Sequence, residues 1–401
     1  MQQTGEMFLL NCIKWHLFPE KRESIKFDSI AADEMDDIII SAQSHAVLPF
    51  VFDAFSDEEI GIKTDKKQNY SIVDKTRQTV FQNYRLFFTT KYVVGLLKEN
   101  GIETVILKGI AAGENYPVWQ YRKSGDIDLF LVDSKDLDKA IKVLKSKNFK
   151  YEADGQVANH HEVLISPEGI EIELHTLLVE PFAKEDINEK IKDFGENIKK
   201  YVVVKDIHGA TFNTLEKGAF AFTLLMHALQ HYLRAGFGLK LLTDLAVLFN
   251  SGLTKEETDT YLELIKDFKV EGFSEFMLSL CVYKLGIDEE KIPHKLADEN
   301  ECNELFADIM AGEEFGRSSK DRMVVVEKNS LGAYFKEFHH QMQLSFPKAG
   351  KVFIIFPILW TITLIRFLVN NKKVRNTSTR AIFSSAKKRS YIYENMEIFI
   401  R

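Results

Sequence analysis

The spacing of apolar and polar positions divides the chain into three textures. Over residues 71–100 the apolar residues Val73, Val80, Tyr84, Phe87, Phe88, Tyr92 and Leu96 recur at intervals of three, four or seven, and Glu-Asn-Gly at 99–101 supplies a stop. That is a helical signature, and the first hundred residues read as a helical support region. The texture changes at Gly101. IETVILKG (102–109) is a short β-rich run ending in glycine, followed by a short helix through IAAGENY, a strand through DIDLFLV and a helix over 136–147. HHEVLIS (160–166) and IEIELHT (170–176) then read as two strands joined by the turn-like Pro-Glu-Gly. The fold class expected is α+β, with a small mixed or antiparallel sheet flanked by N-terminal and C-terminal helices.

From Thr214 the helical period returns in TLEKGAFAFTLLMHALQHYLRAG and KLLTDLAVLFNSG, and Thr-Lys-Glu-Glu at 254–257 has the capping-box pattern of a further helix. The expected organisation is a helical region over 1–100, a catalytic core over 101–210, a helical domain over 211–345, and an apolar helix with a basic tail over 346–401. No internal repeat interrupts it.

Asp126 and Asp128 stand at the head of the most apolar strand, KSGDIDLFLVD. Alternate strand residues share a face, so the two carboxylates lie about 7 Å apart along the backbone. Two like charges held that close are unfavourable without a cation between them, and hard carboxylate oxygens suit Mg²⁺ or Mn²⁺. Solvated carboxylates on an edge strand are the plain alternative. In the last strand Ile170, Ile172 and Leu174 alternate with Glu171, Glu173 and His175, which makes Glu173 a candidate third carboxylate for metal-assisted phosphoryl transfer. Gly109 lets the backbone approach a ligand closely, and Lys108 beside it offers a point charge to a triphosphate.

VILKG, YRKSGDIDLFLV and HHEVLISPEGIEIELHTLL resemble the uncharacterised nucleotidyltransferase family of bacteria, a branch of the DNA polymerase beta-like nucleotidyltransferase superfamily. The resemblance is specific over 102–178 and weakens to helix pattern over LLMHALQHYLRAGFGLKLLTDLAVLF. It implies metal ligation by Asp126, Asp128 and Glu173, with nucleotide contact at Lys108, Gly109, Arg122 and Ser124. It further implies a Mg²⁺-dependent transfer of a nucleoside monophosphate from a triphosphate such as ATP to an acceptor hydroxyl. The acceptor could be a small molecule, a glycan, a protein or an RNA end, and surface-polysaccharide assembly is an association of the family. One departure stands out: the superfamily places Gly-Gly or Gly-Ser at the phosphate turn, whereas this chain has Gly109-Ile110. Two rivals stay open, a metal-dependent glycosyltransferase with a D-x-D site and a non-catalytic nucleotide-binding or assembly protein.

Secondary candidates are histidines. His175 alternates onto the face of Glu173. His160 and His161 point to opposite faces, and His160 is the preferred member. His227 and His231 lie four apart on a helix, a spacing that can clamp zinc but here lacks an evident third soft ligand. Asp244 could pair with this stripe.

Composition narrows the partners. The 401 residues are 45% hydrophobic and 28% charged with a formal charge of −7, yet 366–401 holds nine Lys/Arg against two Glu, so the rest is more acidic than the total. An acidic body is a poor ligand for bulk DNA. Cys12, Cys281 and Cys302 are scattered and odd in number, which fits a reducing cytoplasm. The N-terminus lacks a signal-peptide pattern. Residues 352–369 are apolar apart from Pro357, Thr361, Thr363 and Arg366, with Lys348 and Lys351 before and Lys372, Lys373 and Arg375 after. Basic residues on both flanks favour peripheral contact with the inner membrane face, or burial, over a span.

Overall fold

A capping box starts the longest helix: the Asp65 side chain accepts from Gln68 N–H while the Gln68 side chain accepts from Asp65 N–H. The computed structural model describes residues 3–57, 60, 62, 64–152, 161–182, 184–234, 236–312, 325, 330–346, 349–370 and 379–400. Three helices, α1 (Gln3–Leu17), α2 (Ala32–Ser44) and α3 (Leu48–Phe55), precede α4 (Lys66–Glu99). The strand region follows as β1 (Thr104–Ile106), α5 (Ile110–Gly113), β2 (Asp126–Leu131), α6 (Leu137–Lys145), β3 (Lys150–Glu152), β4 (His161–Ile165) and β5 (Glu171–His175).

These strands form one sheet in the order β1-β2-β5-β4-β3. β2 and β5 run parallel at its centre and the other pairs are antiparallel, so the sheet is mixed. The helix after Gly109 is a single turn of four residues, shorter than the IAAGENY pattern suggests.

After α7 (Glu185–Glu196), β6 (Val202–Ile207) and β7 (Ala210–Leu215) make a hairpin that the apolar spacing did not reveal. Its signal was the His208-Gly209 pair, which takes φ +52° and +81° at the turn. Thr214, expected to open a helix, lies instead in β7, where its hydroxyl donates to the Ile106 carbonyl at 3.3 Å and ties the hairpin to β1. The helical body then runs through α8 (Lys217–Arg234), α9 (Leu239–Asn250), α10 (Lys255–Asp267), α11 (Glu271–Leu285), α12 (Glu299–Gly312), α13 (Leu331–Ser345), α14 (Phe356–Asn370) and α15 (Thr379–Asn395).

One buried cluster extends from Phe8 to Phe399. The end of the chain belongs to it. Phe399 N–H donates to the Lys269 carbonyl at 2.7 Å, and a Cβ on Gly272 would overlap the Met396 carbonyl, so only glycine allows that approach. Arg389 is 1% exposed, pairs with Asp308 at 3.3 Å and donates to the Tyr232 carbonyl. The basic tail is therefore partly internal.

Candidate active site

The central strand pair sets the site. In the parallel register Asp128 lies opposite Glu173, and the neighbours Ile127, Leu129, Ile172 and Leu174 are buried on the other face. Alternation thus resolves the apolar run around the carboxylates: β2 packs one face into the core and offers the other to a cluster of charges. Carboxylate oxygens of Asp126, Asp128 and Glu173 lie within 4.8 Å of one another.

A lysine and a histidine bind this trio. Lys108, just past β1, puts Nζ 2.7 Å from Asp128 Oδ1. His175 Nε2 stands 3.0 Å from the same oxygen and 3.1 Å from Glu173 Oε2. Burial works against the charged Lys108, but Asp128, Asp126 and Glu173 together raise its pKa above the usual lysine value. Burial also opposes a charged His175, yet its hydrogen bonds to Asp128 and Glu173 raise its pKa. Asp128 is held well below the carboxylate range: burial opposes ionisation, and Lys108 and His175 outweigh it. Asp126 moves the other way, up to about 6, because the Asp128 charge and burial disfavour a second anion. A cation between the two carboxylates would offset this repulsion and favour the ionised form of both that a metal ligand needs.

Gly109 adopts φ +58°, ψ −117°, a conformation that excludes side chains. With Ser124, Asp126 and Asp128 it lines a cleft floored by Leu86 and Thr90 of α4.

Arg122 is not aimed at this cleft. It is 4% exposed, and its Nε and Nη2 donate to the two oxygens of Asp244 at 2.6 and 2.7 Å. Nη1 donates to Ser124 Oγ at 2.7 Å and to the Gly109 carbonyl at 3.3 Å. The Tyr116 hydroxyl donates to Asp244 Oδ1 at 2.6 Å and meets Thr243, while Asn83 of α4 donates to the Gln120 and Arg122 carbonyls. The arginine braces the Gly109 turn and the approach to β2 from α9. Sequence reading left Asp244 with an open role and did not pick out Tyr116, Thr243 or Asn83. Their signal is weak, since each is a single polar residue in an apolar stretch.

The α8 stripe forms a wall. His227 Nδ1 lies 3.4 Å from Lys108 Nζ, and the His227 and His231 rings meet edge-on at 4.5 Å. Burial and the Lys108 charge lower both, His231 to about 3, so both are neutral near pH 7. Neither joins a group of three metal-ligating side chains among the described residues. Of the adjacent histidines, His160 lies outside the described residues. His161 faces the site, with Nε2 3.6 Å from Glu173 Oε1, and with Glu173 and His175 makes a second close donor set.

The profile of the uncharacterised nucleotidyltransferase family matches residues 31–286. The chain belongs to that family. No curated protein matches it. A solved structure described as an antigenic nucleotidyltransferase-like protein from Paracoccidioides brasiliensis is similar over 45% of this chain and 87% of its own, at 16% identity and a TM-score of 0.30.

Nucleotidyltransferases typically use divalent metals, and the donor set here fits one. Asp126, Asp128 and Glu173 are hard oxygen donors fixed by two hydrogen-bonded strands, and their surplus negative charge already draws in Lys108. The matched segment spans every residue of this cluster, from Asn83 to Asp244.

Proposed function

We propose that the protein is a Mg²⁺- or Mn²⁺-dependent nucleotidyltransferase that moves a nucleoside monophosphate from a nucleoside triphosphate to an acceptor hydroxyl and releases pyrophosphate. The observation that carries this reading is the Asp126, Asp128 and Glu173 trio on adjacent parallel strands, with carboxylate oxygens within 4.8 Å. Family membership favours it over glycosyl transfer from a D-x-D site.

A divalent cation bound here supplies charge neutralisation of the triphosphate and activation of the acceptor oxygen. Asp126 and Asp128 would hold it, and Glu173 would complete its ligand set. Lys108 would pair with phosphate oxygens in place of Asp128, and Gly109 would let the backbone approach them. Ser124, placed by Arg122, lines the nucleotide side, so Arg122 acts as a positioning residue. His175, hydrogen-bonded between Asp128 and Glu173, orients both. The neutral His227 and His231 form the wall beyond Lys108 and are available to hydrogen-bond the acceptor. Buried free thiols at Cys12, Cys281 and Cys302 and the need for a triphosphate are consistent with a cytoplasmic setting.

Thermal unfolding with a panel of nucleoside triphosphates and Mg²⁺ tests the reading, comparing wild type with Asp126→Asn/Asp128→Asn. A ligand at a hundred times its Kd adds about 2.7 kcal/mol to the folded state. A Mg²⁺-dependent rise with one triphosphate, absent in the double variant, is expected. A rise with a nucleotide-sugar alone would overturn it in favour of glycosyl transfer, and no rise with either would favour a non-catalytic member of the family.

A further inference from the structure

The apolar stretch after residue 350 is not absorbed by the nucleotidyltransferase reading. Among the described residues no helix is long and apolar enough to cross a membrane, and the fifteen residues of α14 extend about 22 Å, short of a hydrocarbon core of about 30 Å. Its burial pattern is inverted. Leu359 packs inward at 6% exposure, while Ile358 and Ile365 are 62% and 55% exposed at a spacing of seven that falls on one face. Phe353 and Ile354, in the turn that leads into the helix, are 80% and 85% exposed. The patch continues onto α13 through Phe335, whose ring meets Trp360 edge-on at 5.0 Å. Trp360 in turn donates to His339 Nδ1 at 3.1 Å, which fixes α14 against α13. Soluble surfaces rarely leave a contiguous apolar patch of this kind uncovered.

Charge decides what covers it. Residues 338–393 contain ten Lys/Arg and no Asp or Glu. Arg389 is engaged internally with Asp308, but Arg366 on α14 is exposed beside the patch, with its guanidinium over the Phe346 ring at 5.1 Å. Pairing this face with the same face of a second copy would bring two basic stretches together. An anionic surface meets both demands, apolar depth for the isoleucines and negative charge for Arg366 and for the net basic sequence of 338–393.

We propose that α14 and the turn before it lie in the plane of an anionic lipid surface, with the Ile358/Ile365 face immersed and Arg366 at the headgroups. Trp360 and Phe335 stand at the boundary where aromatic rings are favoured. This docking rests on no part of the active-site reading.

The test is co-sedimentation of the full chain with vesicles of phosphatidylcholine alone or with added phosphatidylglycerol, with sedimentation velocity in parallel. Wild type is expected to pellet with the phosphatidylglycerol vesicles, less at high salt, and Ile358→Glu/Ile365→Glu to lower the apparent affinity at least about tenfold with an unchanged circular dichroism spectrum. Both side chains are exposed, so the substitutions leave the packed face of the helix intact. Failure of wild type to pellet, or equal binding by the variant, overturns the proposal. A wild-type dimer that the variant dissociates, without vesicle binding, overturns it in favour of a second copy.

Discussion

Lys108 and Asp128 form a buried ion pair, 2.7 Å between Nζ and Oδ1, in the centre of the carboxylate trio. A divalent cation that binds Asp128 competes with this ammonium, and a triphosphate arriving with the cation offers the ammonium a new partner. Metal and nucleotide binding are therefore coupled through one side chain, and the coupling is reciprocal. Lys108→Gln is expected to bind Mn²⁺ about tenfold more tightly than wild type without nucleotide, a change of about 1.4 kcal/mol, and to lose the gain in Mn²⁺ affinity that a triphosphate gives wild type. Electron paramagnetic resonance of free Mn²⁺ reads both. Equal Mn²⁺ affinity in the two proteins without nucleotide would show that the ion pair does not gate the site.

Asp126 is the strained member of the trio. Its folded-state pKa is raised to about 6 from the ordinary 3.8, chiefly by the neighbouring Asp128 charge and by burial. Between those two values the folded state binds more protons than the unfolded state, so stability declines as pH rises through the window and the penalty is complete above it. Asp126→Asn removes the penalty. Without metal at pH 7 it is expected to be about 1 to 3 kcal/mol more stable than wild type in urea unfolding, while losing the stabilisation by Mg²⁺ and triphosphate. The gain should shrink below pH 5, and a variant less stable than wild type at pH 7 would contradict this account.

The legible parts of this architecture were those written in periodic sequence. The β2 and β5 alternation placed Asp126, Asp128 and Glu173 on common faces, and the parallel register then joined the faces. α4 was legible over 71–100, although its true start depends on the Asp65/Gln68 box upstream. What escaped depends on partners distant in sequence. The family resemblance put Arg122 at the nucleotide, and its engagement with Asp244, brought in by α9, could not be read from sequence. The two adjacent histidines show the same limit, since alternation says that one faces the site and the pairing of β4 with β5 says that His161 does. The β6–β7 hairpin was hidden because β6, largely exposed, carries no apolar alternation, and only the His208-Gly209 turn marks it.

Arg122 and Asp244 are 4% and 2% exposed and bonded at two points. Removing one partner leaves a buried charge without compensation. Arg122→Met or Asp244→Leu alone is expected to cost about 3 to 5 kcal/mol in urea unfolding, whereas the double variant should recover a large part of that loss. Because Arg122 also holds Ser124 and the Gly109 carbonyl, the double variant is expected to fold yet bind a triphosphate more weakly. Additive losses in the cycle would show that the two residues act separately.

His45 provides a pH test remote from the carboxylates. It is 1% exposed, accepts the Leu239 N–H at 3.3 Å through Nδ1 at the start of α9, and meets the Met310 backbone with its other nitrogen. Only the neutral ring can accept from Leu239. Burial lowers its pKa from 6.5 to about 4. The unfolded state therefore binds more protons between these values, so stability is unaffected above pH 6.5, falls as pH drops toward 4 and is constant below. The full loss from this group is about 3 kcal/mol. His45→Gln can keep an acceptor for Leu239 and a donor for Met310 without titrating, so its stability relative to wild type should rise by about that amount between pH 7 and pH 4. Parallel stability profiles for the two proteins over that range would mean that His45 is not held neutral in the folded state.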